Sequence, residues 1–361
     1  MTKKIIVGIS GGVDSSVAAL LLKERGYKVE ALFMKNWHED STDGLCTWEA
    51  DVEDAMRVCD KLDIPINTVD LSEQYWQDVF TDFLKQYESG RTPNPDILCN
   101  QEVKFKAFLD HALQLGAETI ATGHYARIES HNGRYKLLKG LDTNKDQSYF
   151  LCRLTQQQLS YSMFPIGELE KLRVRELAAR AGFITHDKKD STGICFIGER
   201  PFREFLSRYI PIKKGEIRNP DGCVIGEHDG VHFYTLGQRQ GLGIGGVKGA
   251  NDEAWYVVAK NIKQNSLIAA QGHDHPLLFS QALTAVNLHW IADSAPQTPF
   301  SCLAKTRYRQ ADQSCVIESL DTDSATVHFT QPQRAVTPGQ YIVFYQGDVC
   351  LGGGLIDNTC N

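Results

Sequence analysis

The stretch Lys4-Ile5-Ile6-Val7-Gly8-Ile9-Ser10-Gly11-Gly12-Val13-Asp14-Ser15-Ser16 decides how the first third of this chain folds. Its β-branched run, Lys4 to Ile9, reads as a strand, its glycines and serines as a sharp turn, and Ser15 to Glu24 as a helix that starts with no linker. Outward from it the alternation repeats: strand Val29 to Met34, helix Glu49 to Leu62, strand Ile66 to Leu71, helix Glu73 to Tyr87, helix Lys104 to Leu115, strand Thr119 to Thr122. That pattern predicts an α/β domain of the doubly wound kind. The alternation then ends. Asn132-Gly133 between Tyr125 to Ile128 and Arg134 to Leu138 is a hairpin signature, and helices return at Thr155 to Leu159 and Arg173 to Ala181. From Gly215 onward short β-rich runs dominate, at Trp255 to Ala259, Cys315 to Ser319, Ala325 to Phe329 and Gln340 to Tyr345. The expected organisation is a doubly wound domain over 1–210, a small mostly β central domain over 211–275 and a C-terminal β-barrel over 276–361.

A chain of 361 residues exceeds what one core usually needs, and 42% hydrophobic with 23% charged residues excludes collagen-like and largely disordered classes. No stretch approaches the ~20 apolar residues of a membrane span. The apolar run after Lys3-Lys4 stops at Ser10, so no signal peptide and a cytoplasmic location are expected. Ten scattered cysteines without an export signal read as reduced thiols, and the lack of any C-x-x-C pair argues against a zinc knuckle or an iron-sulfur cluster. The net charge of -7 is unlike a nucleic-acid binder, but it is unevenly spread. Residues 91–215 hold 20 Lys+Arg against 14 Asp+Glu, and Lys171 to Lys214 alone holds eleven basic and five acidic residues. Such a segment is either a set of solvated helix faces or a surface that steers a polyanion.

At the strand-to-helix turn, small residues let backbone N–H groups approach an anion. Ser10, Ser15 and Ser16 add hydroxyls, and Asp14 can cap the helix or hold a magnesium ion. The P-loop lysine is missing, which disfavours γ-phosphate transfer of that type. Gly241-Leu-Gly243-Ile-Gly-Gly246 fits the dinucleotide fingerprint by letter, but no apolar strand precedes it and no helix follows. Two cysteines stand in distinctive surroundings. Cys99 closes Asn94-Pro95-Asp96-Ile97-Leu98-Cys99-Asn100, read as a stiff turn before a helix, with Asp96 three residues from the thiol. Cys195 lies in Ser191-Thr192-Gly193-Ile194-Cys195-Phe196-Ile197-Gly198, where Lys188 and Lys189 would lower its thiol pKa. Taken singly, a cysteine is more often a small buried apolar side chain than a functional group.

The S-G-G-x-D-S-S turn resembles the pyrophosphate loop of the ATP pyrophosphatase superfamily. Together with N-P-D-x-L-C-N, T-G-H-Y, K-D-Q-S-Y-F, S-T-G-I-C-F-I-G and G-Q-R-x-G-L-G-I-G-G, in that order, it makes the chain similar to the tRNA-specific 2-thiouridylase family. The resemblance implies adenylation of the C2 oxygen of the wobble uridine by ATP, with magnesium bound alongside, and its replacement by sulfur. It implies nucleotide binding by Gly8, Ile9, Ser10, Gly11, Gly12, Val13, Asp14, Ser15, Met34 and Gly123, and no protein-held metal. Cys195 would carry a persulfide from a sulfur-relay protein or cysteine desulfurase. Cys99 would release the sulfur or resolve the product through a transient Cys99–Cys195 disulfide, and Asp96 would be general acid/base. Asn94, Pro95 and Asp96 would line the pocket of the flipped base. His124, Lys145, Asp146, Gln147, Arg307, Tyr308 and Gln340 would contact tRNA, the expected substrates being the Lys, Glu and Gln tRNAs. Competing readings are an amidating synthetase, for which no glutaminase segment is recognisable, a nucleotide-sensing or RNA-binding protein without catalysis, and thiolation through an iron-sulfur cluster.

Overall fold

The computed structural model describes residues 3–37, 47–190, 202–244 and 252–360. The opening strand β1 (Lys4–Ile9) runs into a turn and then the helix α1 (Val13–Glu24). The strands β2 (Lys28–Lys35), β3 (Ile66–Asp70) and β4 (Thr119–Ala121) follow, each one parallel to its neighbour. Next come the hairpin β5 (Ala126–His131) and β6 (Arg134–Lys139), and the two-residue β7 (Ser162–Met163), a strand the sequence pattern does not announce. The parallel sheet has the order β3-β2-β1-β4-β7. Chain direction therefore reverses its sideways progress at β1, with β2 on one side and β4 on the other. The crevice outside the carboxyl ends at such a switch point is where ligands bind in open α/β sheets. The core around β1 is continuous and apolar: Ile5, Val7 and Ile9 meet Val17, Ala18 and Leu22 of α1.

Asn132 and Gly133 both take positive φ, 50° and 73°, the backbone a two-residue hairpin turn demands. The hairpin itself, however, leaves the α/β sheet. Leu137 and Leu138 pair with Cys350 and Val349, so β5 and β6 extend the sheet of the C-terminal domain. Burial of Leu137 with Tyr341, Tyr345 and Cys350 supplies the reason. The helix expected from Lys104 starts earlier, at Pro95, and continues through a stretch with wider π-helical hydrogen bonding, Cys99–Ala107, to Gln114. Proline is tolerated at a first helical position because its missing N–H would be unpaired there anyway. Cys99 and Asp96 are thus helical residues, one turn apart, rather than parts of a preceding loop.

The central unit is a four-stranded sheet of β8 (Gly215–Arg218), β9 (Val224–His228), β10 (Trp255–Asn261) and β11 (Ser266–Gln271), around Ile217, Val257 and Leu267. The last six strands are β12 (Phe279–Trp290), β13 (Phe300–Lys305), β14 (Gln313–Leu320), β15 (Ser324–Arg334), β16 (Tyr341–Gln346) and β17 (Val349–Cys360). Because β12 pairs with both β15 and β17, they close into a barrel. Among the described residues no helix is long and apolar enough to cross a membrane.

Candidate active site

The turn between β1 and α1 is held by its own serines. Ser15 Oγ accepts from Ser10 N at 3.2 Å and donates to Gly12 O at 3.1 Å, and Ser16 Oγ donates to Gly12 O at 2.8 Å. Gly11 has φ +70°, and a Cβ there would lie 2.2 Å from Asp51 O. Gly123, just beyond β4, comes so near that a Cβ would lie 2.6 Å from Ser15 N. In the strand register Ile9 faces Phe33 and Val7 faces Ala121, so Met34 and Gly123 flank the loop from either side. One end of the sheet therefore presents an N-terminal helix turn with Met34 and Gly123 beside it.

Cations reach this turn from a later part of the chain. Lys171 Nζ stands 2.8 Å from both carboxylate oxygens of Asp14, and Tyr125 OH donates to Asp14 Oδ1 at 2.7 Å. Lys188 Nζ donates to Gly11 O at 3.0 Å and pairs with Asp51 and Asp54 at 2.8 and 2.6 Å. The two carboxylates of the helix Thr47–Leu62 thus hold Lys188 at the loop, and Lys189 is exposed; Cys195, on which both were expected to act, lies outside the described residues. Asp190 gathers Lys145, Lys171 and Arg175 at 2.5, 2.7 and 3.0 Å. Burial opposes ionisation of Asp190, but hydrogen bonds from Lys145 and Lys171 prevail and hold its carboxyl at about 2. A depressed carboxyl stabilises the fold above the unfolded value, about 4, and loses that contribution as pH falls through about 2. Acid unfolding of Asp190→Asn should accordingly be shallower than that of the wild type between about pH 4 and 2. Parallel unfolding curves in that window would remove Asp190 as the hub.

Sequence reasoning did not foresee that Lys171 and Lys188 meet this turn: Lys171 was counted only in a basic segment, and Lys188 was assigned to the surroundings of Cys195. Their lysine-rich context was visible; their destination, across 157 and 177 residues, was not.

Cys99 is fully buried in an apolar cluster that includes Tyr75, Phe80, Phe205 and Leu206, with Met34 packed against the same cluster. Met34 thus joins the end of the sheet that carries the Ser10–Ser16 turn to the surroundings of Cys99. Burial pushes Cys59 and Cys152 up to about 12 and Cys350 well above its ordinary range, so these three stay protonated near neutral pH. Cys195 and its motif lie outside the described residues. The flanking described residues are Asp190, at the cationic hub, and Phe202, whose helix Phe202–Ser207 packs on the Cys99 cluster. Gly241 and Gly243 sit in a turn preceded by no strand, as expected, while Gly245 and Gly246 are outside the described residues.

Three family descriptions match consecutive parts of the chain: tRNA methyl transferase HUP domain over residues 3–199, tRNA methyl transferase PRC-barrel domain over 203–271, and aminomethyltransferase beta-barrel domain over 280–356. The tRNA-specific 2-thiouridylase MnmA of Francisella tularensis subsp. holarctica is 58% identical over 355 residues, 98% of this chain and 99% of that protein. The chain belongs to the tRNA-specific 2-thiouridylase family. The MnmA of Francisella tularensis subsp. novicida is equally similar, at 58% over the same span. A solved U34-tRNA thiolase, NcsA from Methanococcus maripaludis, aligns with a TM-score of 0.35 and 18% identity over 57% of this chain and 63% of that one.

The positions that resemblance to the 2-thiouridylases assigns to tRNA are placed as follows. His124 sits between Phe105 and Phe164, its Nδ1 2.8 Å from Thr122 Oγ1, and burial with Lys104 nearby holds it well below the ordinary imidazole value, hence neutral. Asp146 is buried, accepting from Gly140 N and Ser148 N and pairing with Lys305 at 3.3 Å. Gln147 Oε1 accepts from Tyr125 N, and Lys145 holds Asp190. Tyr308 packs on Phe150, ring centres 4.4 Å apart. Arg307 donates to Leu236 O at 3.1 Å, to Ala335 O and to Thr337 Oγ1, tying the central unit to the barrel.

Gln340 reaches from the barrel to the loop before Cys99. Its Nε2 donates to Thr92 O at 2.8 Å and Pro93 O at 3.3 Å, and Thr92 N donates to Pro338 O at 3.0 Å. Arg91 pairs with Asp357, and a Cβ on Gly339 would lie 2.9 Å from Thr92 N. This clamp fixes where Asn94, Pro95 and Asp96 stand. Gln340→Ala should lower kcat about tenfold, the equivalent of roughly 1.4 kcal/mol, with tRNA affinity changed by less than about threefold. A loss of tRNA affinity at unchanged kcat would instead make Gln340 a direct contact.

Proposed function

We propose that this chain is a cytoplasmic tRNA-uridine 2-sulfurtransferase that uses ATP to adenylate the C2 oxygen of the wobble uridine and replaces that oxygen with sulfur from a cysteine persulfide. The observation that carries this reading is the joining of the Ser10–Ser16 turn to the Cys99 helix through Met34, in a chain alike over 98% of its length to a tRNA-specific 2-thiouridylase.

In the first step the uridine oxygen attacks the α-phosphorus of ATP and pyrophosphate leaves. Backbone N–H groups from Gly8 through Ser15 and the hydroxyls of Ser10 and Ser15 receive the phosphates at the positive end of α1. Lys171 and Lys188 supply the charge that a P-loop lysine supplies elsewhere. Met34 and Gly123 bound the nucleotide on its two sides. Asp14 is the residue of the turn that would hold a magnesium ion arriving with ATP. When bound, it neutralises phosphate charge.

In the second step the terminal sulfur of a Cys195 persulfide attacks C2 and AMP leaves. Cys99 then either attacks the inner sulfur of the disulfide joining uridine and Cys195, freeing thiouridine and leaving a Cys99–Cys195 disulfide for an external dithiol to reduce, or acts earlier to release sulfide from the persulfide. Asp96, one helical turn from Cys99, acts in this reading as general acid/base beside Asn94 and Pro95. Because Cys99 is fully buried, its thiol must be uncovered before either route can run. Lys, Glu and Gln tRNAs are the proposed substrates, and a sulfur-relay protein or cysteine desulfurase the proposed donor.

The reading is tested by incubating the protein with tRNA, ATP, magnesium and a persulfide-generating donor and analysing nucleosides by mass. Formation of 2-thiouridine with stoichiometric AMP supports it. ATP cleavage without a thiolated base in any tRNA would leave the pyrophosphate loop standing and move the acceptor to another molecule.

A further inference from the structure

Cys302 on β13 and Cys315 on β14 stand directly opposite each other in an antiparallel pair, their sulfurs 3.6 Å apart. Cys315 is buried in the barrel core, while Cys302 lies at its edge with part of its surface open. Nothing in the reaction proposed above uses either thiol. Directly opposed residues hold their Cβ atoms about 4.5–5.5 Å apart, and bridged cysteines need about 3.5–4.5 Å. Joining them therefore takes a shift on the order of 1 Å rather than refolding. The hydrogen bond from Cys315 lowers the Cys302 thiol against the effect of burial, while the same bond and burial raise Cys315. The accessible sulfur is thus the better nucleophile, and the enclosed one is a protonated partner in contact with it.

We propose that Cys302 and Cys315 form a redox-active dithiol, a modification site on the barrel that closes to a disulfide under hydroperoxides and is reopened by small dithiols. The Cys302 thiolate attacks one peroxide oxygen, forming an S–O bond as the O–O bond breaks, and the departing hydroxide takes up a proton to become water. The Cys315 sulfur then attacks the sulfenic sulfur, the S–O bond breaks, and a second water leaves with the Cys315 proton. Two thiols are oxidised by two electrons and one hydrogen peroxide is reduced to two waters. The bond fastens the base of the loop 306–312, whose Arg307 holds Leu236 and whose Asp312 pairs with Lys139. The junction between central unit, hairpin and barrel is stiffened in consequence.

The test is to expose the full chain to hydrogen peroxide, block remaining thiols with iodoacetamide and digest with trypsin. Cleavage after Lys263, Lys305, Arg309 and Arg334 leaves Cys302 in the peptide 264–305 and Cys315 in the peptide 310–334, each without another cysteine. The expected result is these two peptides joined, lighter by two hydrogens than their sum, separable by dithiothreitol, with amide exchange in 306–312 slowed in the oxidised protein. Cys302→Ser should abolish the cross-link and leave thiolation by the unoxidised protein unchanged. Recovery of both peptides in alkylated form, under peroxide that oxidises the exposed Cys223 and Cys360, overturns the proposal; this wild-type digest decides the matter without any variant.

Discussion

Cys99→Ser protein will form AMP from ATP in the presence of tRNA and yield no 2-thiouridine, a loss of at least about a thousandfold in sulfur transfer. Serine keeps nearly the same volume in the apolar cluster that includes Tyr75, Phe80, Phe205 and Leu206, so the fold should survive. What disappears is a sulfur nucleophile, since a hydroxyl neither attacks a persulfide nor forms a disulfide. On the function proposed above, adenylation depends on the Ser10–Ser16 turn and its lysines, which the substitution does not touch. The split between the two half-reactions is therefore the signature. Melting curves and AMP release from the same preparation check it, and thiouridine formed at more than about a tenth of the wild-type rate would remove Cys99 from the chemistry. The burial of Cys99 adds a second readout: in the free protein iodoacetamide should label Cys223 and Cys360, both exposed, well before Cys99.

Lys171→Met should reduce kcat/KM for ATP by about a hundred- to a thousandfold, roughly 3–4 kcal/mol, the range seen when a group that stabilises developing charge is removed from an enclosed site. Lys171 is only 11% exposed and bridges Asp14 and Asp190. Without it two carboxylates face the proposed triphosphate site, and among the described residues Asp14 keeps the Tyr125 hydroxyl. Part of any effect could be destabilisation from that uncompensated charge. The double variant Asp14→Asn/Lys171→Met separates the two, because it should recover thermal stability and leave adenylation slow. Lys171→Arg should restore part of the rate. If the double variant recovered activity together with stability, Lys171 would be a structural counterion and no more.

The legible and illegible parts of this protein divide by distance along the chain. The strand Lys4–Ile9, the Ser10–Ser16 turn and the Asn132-Gly133 hairpin turn were readable because neighbouring residues carry the signal: β-branched periodicity, glycine at positive φ, a serine hydroxyl within reach of a backbone carbonyl. Thr155 likewise caps its helix with Gln158 in a local exchange of hydrogen bonds. Cys99 was readable as a candidate from its neighbours, yet its place in one cluster with Phe205 and Leu206 depends on a helix a hundred residues on. Gln340 was legible as part of a family pattern, and its grip on Thr92 and Pro93 was not.

By itself, then, the sequence determined the α/β opening, the glycine- and serine-rich turn after β1 and the cysteines worth testing, since each follows from backbone preference and spacing within one or two elements. Only the tertiary structure decided that β5 and β6 join the barrel sheet, that Lys171 and Lys188 reach the Ser10–Ser16 turn, and that the barrel clamps the loop before Cys99. Those outcomes turn on which of many apolar faces and opposite charges meet after collapse, and local periodicity carries no information about a partner more than a hundred residues away.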